Sequence, residues 1–94
     1  MPEKDSEIVL PPTEEILAAY EKLFGGGKRG VRRFKQSGLR YVRFPGDVIL
    51  VEQNPEKESH WAELARRGRR IAWLMKDGKY LARVVDSEVE ILRH

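Results

Sequence analysis

Seven cations, Lys28, Arg29, Arg32, Arg33, Lys35, Arg40 and Arg43, fall within seventeen consecutive residues that contain no acid. A cluster of this kind suits a polyphosphate ligand, because each cation that meets a phosphate releases a condensed counterion. Phe34 and Tyr41 are interleaved with them. Aromatic rings beside guanidinium groups are what unpaired bases stack on while arginines hold the backbone. Four further arginines, Arg66, Arg67, Arg69 and Arg70, crowd a second short stretch. One or two of them suit the C-terminus of a helix, where cations complement the dipole, and four exceed that need.

The remaining chemistry-bearing residues form no constellation. His60 has Glu56 and Glu63 at helical neighbour spacing, but one histidine with two carboxylates is an incomplete metal site and lacks the His-Glu-x-x-His order. Asp47 and Glu52 with Lys35 are the carboxylates and lysine that a nuclease would need, yet nothing in their spacing ties them together. Ser37 and Ser59 have no visible base and orienting partner. The loop Gly25-Gly-Gly-Lys-Arg-Gly30 has glycines and cations but follows a helix and lacks Gly-Lys-Ser/Thr, so it reads as a helix stop rather than a nucleotide cradle. Cysteine is absent, which removes disulfides, thiolate metal sites and cysteine nucleophiles. The expectation is a non-enzymatic protein with no catalytic residue, no metal and no cofactor.

Charge is segregated along the chain. The net charge of +3 hides an acidic start (Glu3, Asp5, Glu7, Glu14, Glu15, Glu21), the basic middle, a second acidic stretch from Asp47 to Glu63, and the arginine cluster. Charged residues make up 35% of the chain, a composition also typical of thermophile surfaces, in which arginines serve as ion-pair partners. No apolar run approaches the roughly 18 residues of a membrane span, and the acidic N-terminus is unlike a signal peptide. A soluble cytoplasmic protein with no membrane partner is expected.

The elements that would position these groups are readable from periodicity. Residues 1–7 read as a frayed tail, and Ile8, Val9 and Leu10 as a short strand before Pro11-Pro12. Thr13 has the features of an N-cap, and Ile16, Leu17, Tyr20, Leu23 and Phe24 follow the stripe of an amphipathic helix that ends at Gly25. Residues 31–36 and 39–44 form a hairpin around Ser37-Gly38. Pro45-Gly46-Asp47 turns into Val48-Ile-Leu-Val51, a run suited to a strand buried on both faces. Trp61, Leu64 and Ala65 mark a second helix reaching about Arg67 and stopped at Gly68. Residues 71–76 and 79–85 flank Asp77-Gly78, which suits a type I′ turn, and Val89 and Ile91 lie in a last strand.

The sum is a single α+β domain over 1–94, with two amphipathic helices packed on one side of a mainly antiparallel sheet. The order αβββαβββ suggests a tandem duplication. A shift of 40 aligns Val31 with Ile71, Phe34 with Leu74 and Gly38 with Gly78, giving half-repeats 13–53 and 56–93.

Strand parity then sorts the faces. In the second hairpin Ile71, Trp73, Met75, Tyr80, Ala82 and Val84 share one side, entirely apolar, which is expected to be core. In the first hairpin neither face is clean. If Val31, Val42 and Phe44 face inward, Phe34, Tyr41, Arg32 and Arg43 form an open platform that favours single strands. If Phe34, Leu39 and Tyr41 face inward, Arg33, Lys35 and Arg40 form a ridge that grips phosphates only. The expected function is nucleic-acid binding, RNA or DNA, through residues 28–43 and Arg66, Arg67, Arg69 and Arg70. The competing expectation is a protein-interaction module in which the acidic first helix of one copy meets the basic sheet of another in a homodimer.

Overall fold

The computed structural model describes residues 9–25, 30–33 and 38–92. Helix α1 (Thr13–Phe24) buries Ile16, Ala19, Tyr20 and Leu23, the predicted stripe. Its start differs from expectation. Pro12 occupies the cap position, and its carbonyl accepts from Glu15 N and Ile16 N at 2.9 and 3.0 Å, with no side-chain cap, so Thr13 is the first helical residue. Proline suits this place because its fixed φ and missing N–H cost nothing at a helix start. Val9 and Leu10 form no strand. Val9 is 85% exposed, and Leu10 packs against the core as irregular chain.

Six strands follow: β1 (Val31–Arg33), β2 (Arg40–Phe44), β3 (Val48–Glu52), β4 (Ile71–Lys76), β5 (Lys79–Val85) and β6 (Glu88–Ile91). Each pairs antiparallel with the next, so one sheet runs through them in sequence order. Helix α2 (His60–Arg66) sits between β3 and β4; Ser59 Oγ accepts from Ala62 N at 3.0 Å and caps it. The chain leaves α2 at Gly68, whose φ of +95° disfavours any side chain. The turn at Asp77-Gly78 has φ of 50° and 79°, the type I′ pattern expected there. Asp86-Ser87 repeats it, with φ of 49° and 71°, and joins β5 to β6 without a glycine.

The register assigns the faces. Val31, Val42, Leu50, Leu74, Ala82 and Ile91 lie in one cross-strand row, and Phe44, Val48 and Lys76 follow on the same face. α1 lies over this face and builds the main core from Ile16, Tyr20, Leu23, Val42, Phe44, Leu50, Leu74 and Val84. The inward choice for Val31, Val42 and Phe44 is the one observed.

Two expectations are corrected. The apolar side foreseen in the second hairpin is split by a bulge: Leu74 pairs with Ala82 while Met75 pairs with Tyr80, which leaves Leu81 as an extra residue. The bulge moves Ala82 and Val84 to the α1 face, beside Ala72 and Leu74, and leaves Trp73, Met75 and Tyr80 on the other. The helices also do not share a side. Trp61 of α2 meets Trp73, so α2 lies on the face opposite α1. With one face already filled by α1, the free apolar surface for Trp61 and Ala62 is on the other. Among the described residues no helix is long and apolar enough to cross a membrane.

α1 is tied to the chain beyond α2 by one long-range hydrogen bond, from Tyr20 Oη to the Arg70 carbonyl at 2.6 Å. Burial raises the Tyr20 pKa above its ordinary value of 10.0. The unfolded chain therefore ionises first, so this contribution to stability is complete below pH 10 and is lost as pH rises through the folded-state pKa. Tyr20→Phe should lower stability at neutral pH by about 1 kcal/mol, through the lost bond. Urea midpoints should fall more steeply above pH 10 for the parent than for Tyr20→Phe; parallel curves would refute this.

Candidate nucleic-acid interface

The face away from α1 carries a cross-strand row, Arg32, Tyr41, Val51, Trp73, Arg83 and Glu90, and beside it Arg43, Ile49, Met75 and Tyr80. Trp61 of α2 packs on this face beside Trp73 and Arg83. The Trp61 and Trp73 rings meet edge to face at 5.9 Å, and Trp73 meets Tyr80 at 5.0 Å. Arg83 lies over Trp61, its guanidinium 4.1 Å from the ring centroid and 5.5 Å from that of Trp73, and pairs with Glu90. Trp73 Nε1 donates to Gln53 Oε1 at 2.6 Å, while Gln53 Nε2 donates to the Asn54 carbonyl at 2.9 Å. The amide is only 8% exposed and both its ends are bonded, so it holds the indole in one orientation. Trp61, Trp73, Tyr80 and Gln53 line a cleft of about 440 Å³ together with Ile49, Val51, Met75, Asn54 and Lys57.

The predicted site residues divide. Lys28, Arg29, Phe34 and Lys35 lie outside the described residues. Arg32, Tyr41 and Arg43 share the open face, whereas Arg33 and Arg40 point to the α1 side. Arg40 is half-buried. Its guanidinium meets Glu52 at 3.1 Å and lies 5.4 Å from the Phe24 ring centroid, and its backbone N–H donates to Glu52 Oε1 at 2.7 Å. Arg43 pairs with Asp47 at 2.9 Å, and Arg69 with Asp86 at 2.6 Å. Arg66 and Arg67 both pair with Glu63, at 3.0 and 3.3 Å, and hydrogen bonding from Arg66 together with both charges holds the Glu63 carboxyl below its ordinary range. The salt bridges among the described residues do not include Arg32, Arg33 or Arg70, all exposed.

The basic stretch therefore does not form one uniform positive surface among the described residues: its cations divide between the two sheet faces, and Glu52 meets Arg40 while Asp47 meets Arg43. Asp47 and Glu52, the carboxylates a nuclease would need, are the partners of Arg43 and Arg40. His60 is exposed at the start of α2 with its ring 5.0 Å from that of Trp61, and no group of three metal-binding side chains occurs among the described residues.

Trp61, Trp73, Met75, Tyr80 and Arg83 were not singled out as site residues by sequence reasoning. The available signal was the broken alternation of Tyr80-Leu81-Ala82, in which consecutive apolar residues cannot all face one way without a bulge. No protein-family model matches the chain, and comparison with curated proteins and with solved structures finds no match.

If Gln53 locks the indole, Gln53→Ala should cost about 1–3 kcal/mol by orphaning Trp73 Nε1. A double-mutant cycle with Trp73→Phe should return a coupling of about 1 kcal/mol from urea midpoints. Strictly additive effects would show that the bond does not hold the ring.

Proposed function

We propose that this protein is a small, non-enzymatic, cytoplasmic single-strand nucleic-acid-binding protein whose ligand runs across the open sheet face. The observation that carries the reading is that Arg32, Tyr41 and Arg43 of the basic hairpin share one sheet face with Trp73 and Tyr80, the face opposite α1. With strands about 4.8 Å apart, Arg32 and Trp73 stand roughly 14 Å from one another, so the row spans a few nucleotides rather than one. Unpaired bases offer ring faces to Tyr41, Tyr80 and the Trp61–Trp73 wall, and a duplex does not. Arg32, Arg43 and Lys57 supply phosphate contacts, and Lys28, Arg29 and Lys35, neighbours of Arg32 in sequence, add to the positive charge. Arg66, Arg67, Arg69 and Arg70 extend them at the end of α2. Where an arginine already has a carboxylate partner, that pair is exposed in every case but Arg40 and Arg83, and exposed pairs are worth only about 0–1 kcal/mol, so phosphate can compete for them.

The halves 13–53 and 56–93 are read as copies of one helix-plus-three-strand unit. A half-turn about the axis running across the strands, combined with a three-strand shift, reverses strand direction and exchanges faces. It would send the two helices to opposite sides, as α1 and α2 are found.

Titration of single- and double-stranded oligonucleotides against salt tests the function. Single strands should bind more tightly, and Arg32→Ala and Arg43→Ala should each reduce the log–log salt slope by about 0.7. Tyr80 is 39% exposed, so Tyr80→Ala should leave the fold intact and lose about 1–3 kcal/mol of single-strand affinity. Equal affinity for duplex, or no binding at low salt, would end the proposal.

A further inference from the structure

Among the described residues no strand pairs with the outer edge of β1 or of β6, and the two edges differ in charge. β1 presents Arg32 and Arg33, β6 presents Glu88 and Glu90, and all four are exposed. An open edge carries unpaired N–H and C=O groups and is a template for another strand. Pairing like edges of two copies would set arginine against arginine or glutamate against glutamate, which is unfavourable. Placing β6 against β1 of a second copy sets glutamate against arginine.

Direction and facing also agree. Six successive antiparallel strands leave β1 and β6 running oppositely, so β6 meets the next copy's β1 antiparallel and the sheet continues. One register satisfies both faces: Ile91 opposite Val31, Glu90 opposite Arg32, and Val89 opposite Arg33. Ile91, Val89 and Val31 lie on the α1 face through Ala82, Val84 and Val42; Glu90 and Arg32 lie on the open face through Arg83 and Tyr41. Ile91, 50% exposed in the single chain, is thereby covered by Val31. A slip of one residue would put every side chain on the wrong face. Leu92 N donates to Leu81 O at 2.9 Å, which sets the phase of β6 and directs the backbone groups of Val89 and Ile91 away from β5. These are the groups that would bond Arg33 and Val31.

We infer that the chain self-associates head to tail, β6 of one copy adding to β1 of the next in this register. The contact is heterologous, so it repeats until a ring closes or a filament extends. It is argued from the sheet edges and not from the aromatic face, and it shares only Arg32 with the nucleic-acid reading.

Sedimentation without nucleic acid, from micromolar to near-millimolar protein, should show mass rising with concentration and falling with salt. Arg32→Glu with Arg33→Glu, and separately Glu88→Lys with Glu90→Lys, should each be monomeric, and mixing the two variants should restore assembly. Glu90 also pairs with Arg83, so tryptophan fluorescence checks the fold; if the double variant fails, Glu88→Lys alone should weaken association several-fold. A monomer at every concentration overturns the inference. So does assembly indifferent to both reversals, a mixture that stays monomeric, or assembly abolished instead by Glu14→Lys with Glu15→Lys on α1.

Discussion

Six strands in a single meander present two faces, and the chain supplies a long helix for only one of them. α1, twelve residues long, covers one side with a continuous apolar stripe and closes the core over Leu50, Leu74 and Val84. α2 has seven residues and reaches the other side mainly through Trp61. A sheet of this kind buries one face and must make the other tolerable to water. Here the second face is not simply polar. It carries aromatic rings held by partners, with arginines interleaved, because the bulge at Leu81 moves Ala82 and Val84 to the α1 face and leaves Trp73, Met75 and Tyr80 on this one.

Elements whose cause is local were legible in the sequence. The stripe from Ile16 to Phe24 needs only helical periodicity, and Asp77-Gly78 needs only the φ preferences of its two residues. The inward side of β2 stays open between two choices in the sequence, because arginines fall on both faces of the first hairpin, and the register with β3 decides it. What escaped is set by contacts distant in sequence. Parity extrapolated from the Asp77-Gly78 turn assigns Ala82 and Val84 wrongly, because one inserted residue inverts every position after it. The side chosen by α2 depends on which face α1 already occupies. The ion pairs are similar: nothing local to Arg40 announces Glu52, and Asp86 is seventeen positions from Arg69.

Charge segregation along a chain is thus a poor guide to charge segregation in space. Strand pairing brings the acidic stretch of β3 and its flanking turn beside the basic stretch of β2, so Arg40–Glu52 and Arg43–Asp47 form by register alone. The first is half-buried, with charge-assisted hydrogen bonds from both the backbone and the guanidinium, and such bonds are stronger than neutral ones. The second is exposed and contributes little. Arg40 is therefore a structural residue clamping β2 to β3 and α1, while Arg43 remains electrostatically available.

In the proposed reading, the aromatic wall gains its value from being held before a ligand arrives. Gln53 fixes Trp73 by a hydrogen bond, and Glu90 holds Arg83 across Trp61. Trp61 is itself carried on a helix capped by Ser59 rather than on a loop. Each immobilised side chain would otherwise cost about 0.5–1.5 kcal/mol to order on binding, and here much of that ordering is done during folding. Rings and guanidinium in this arrangement also satisfy one another, which explains why apolar surface can stand uncovered by a helix without collapsing onto itself. The same rigidity limits what the face can accept: flat ligands that match the fixed ring planes are favoured, and ligands that need the wall to move are not.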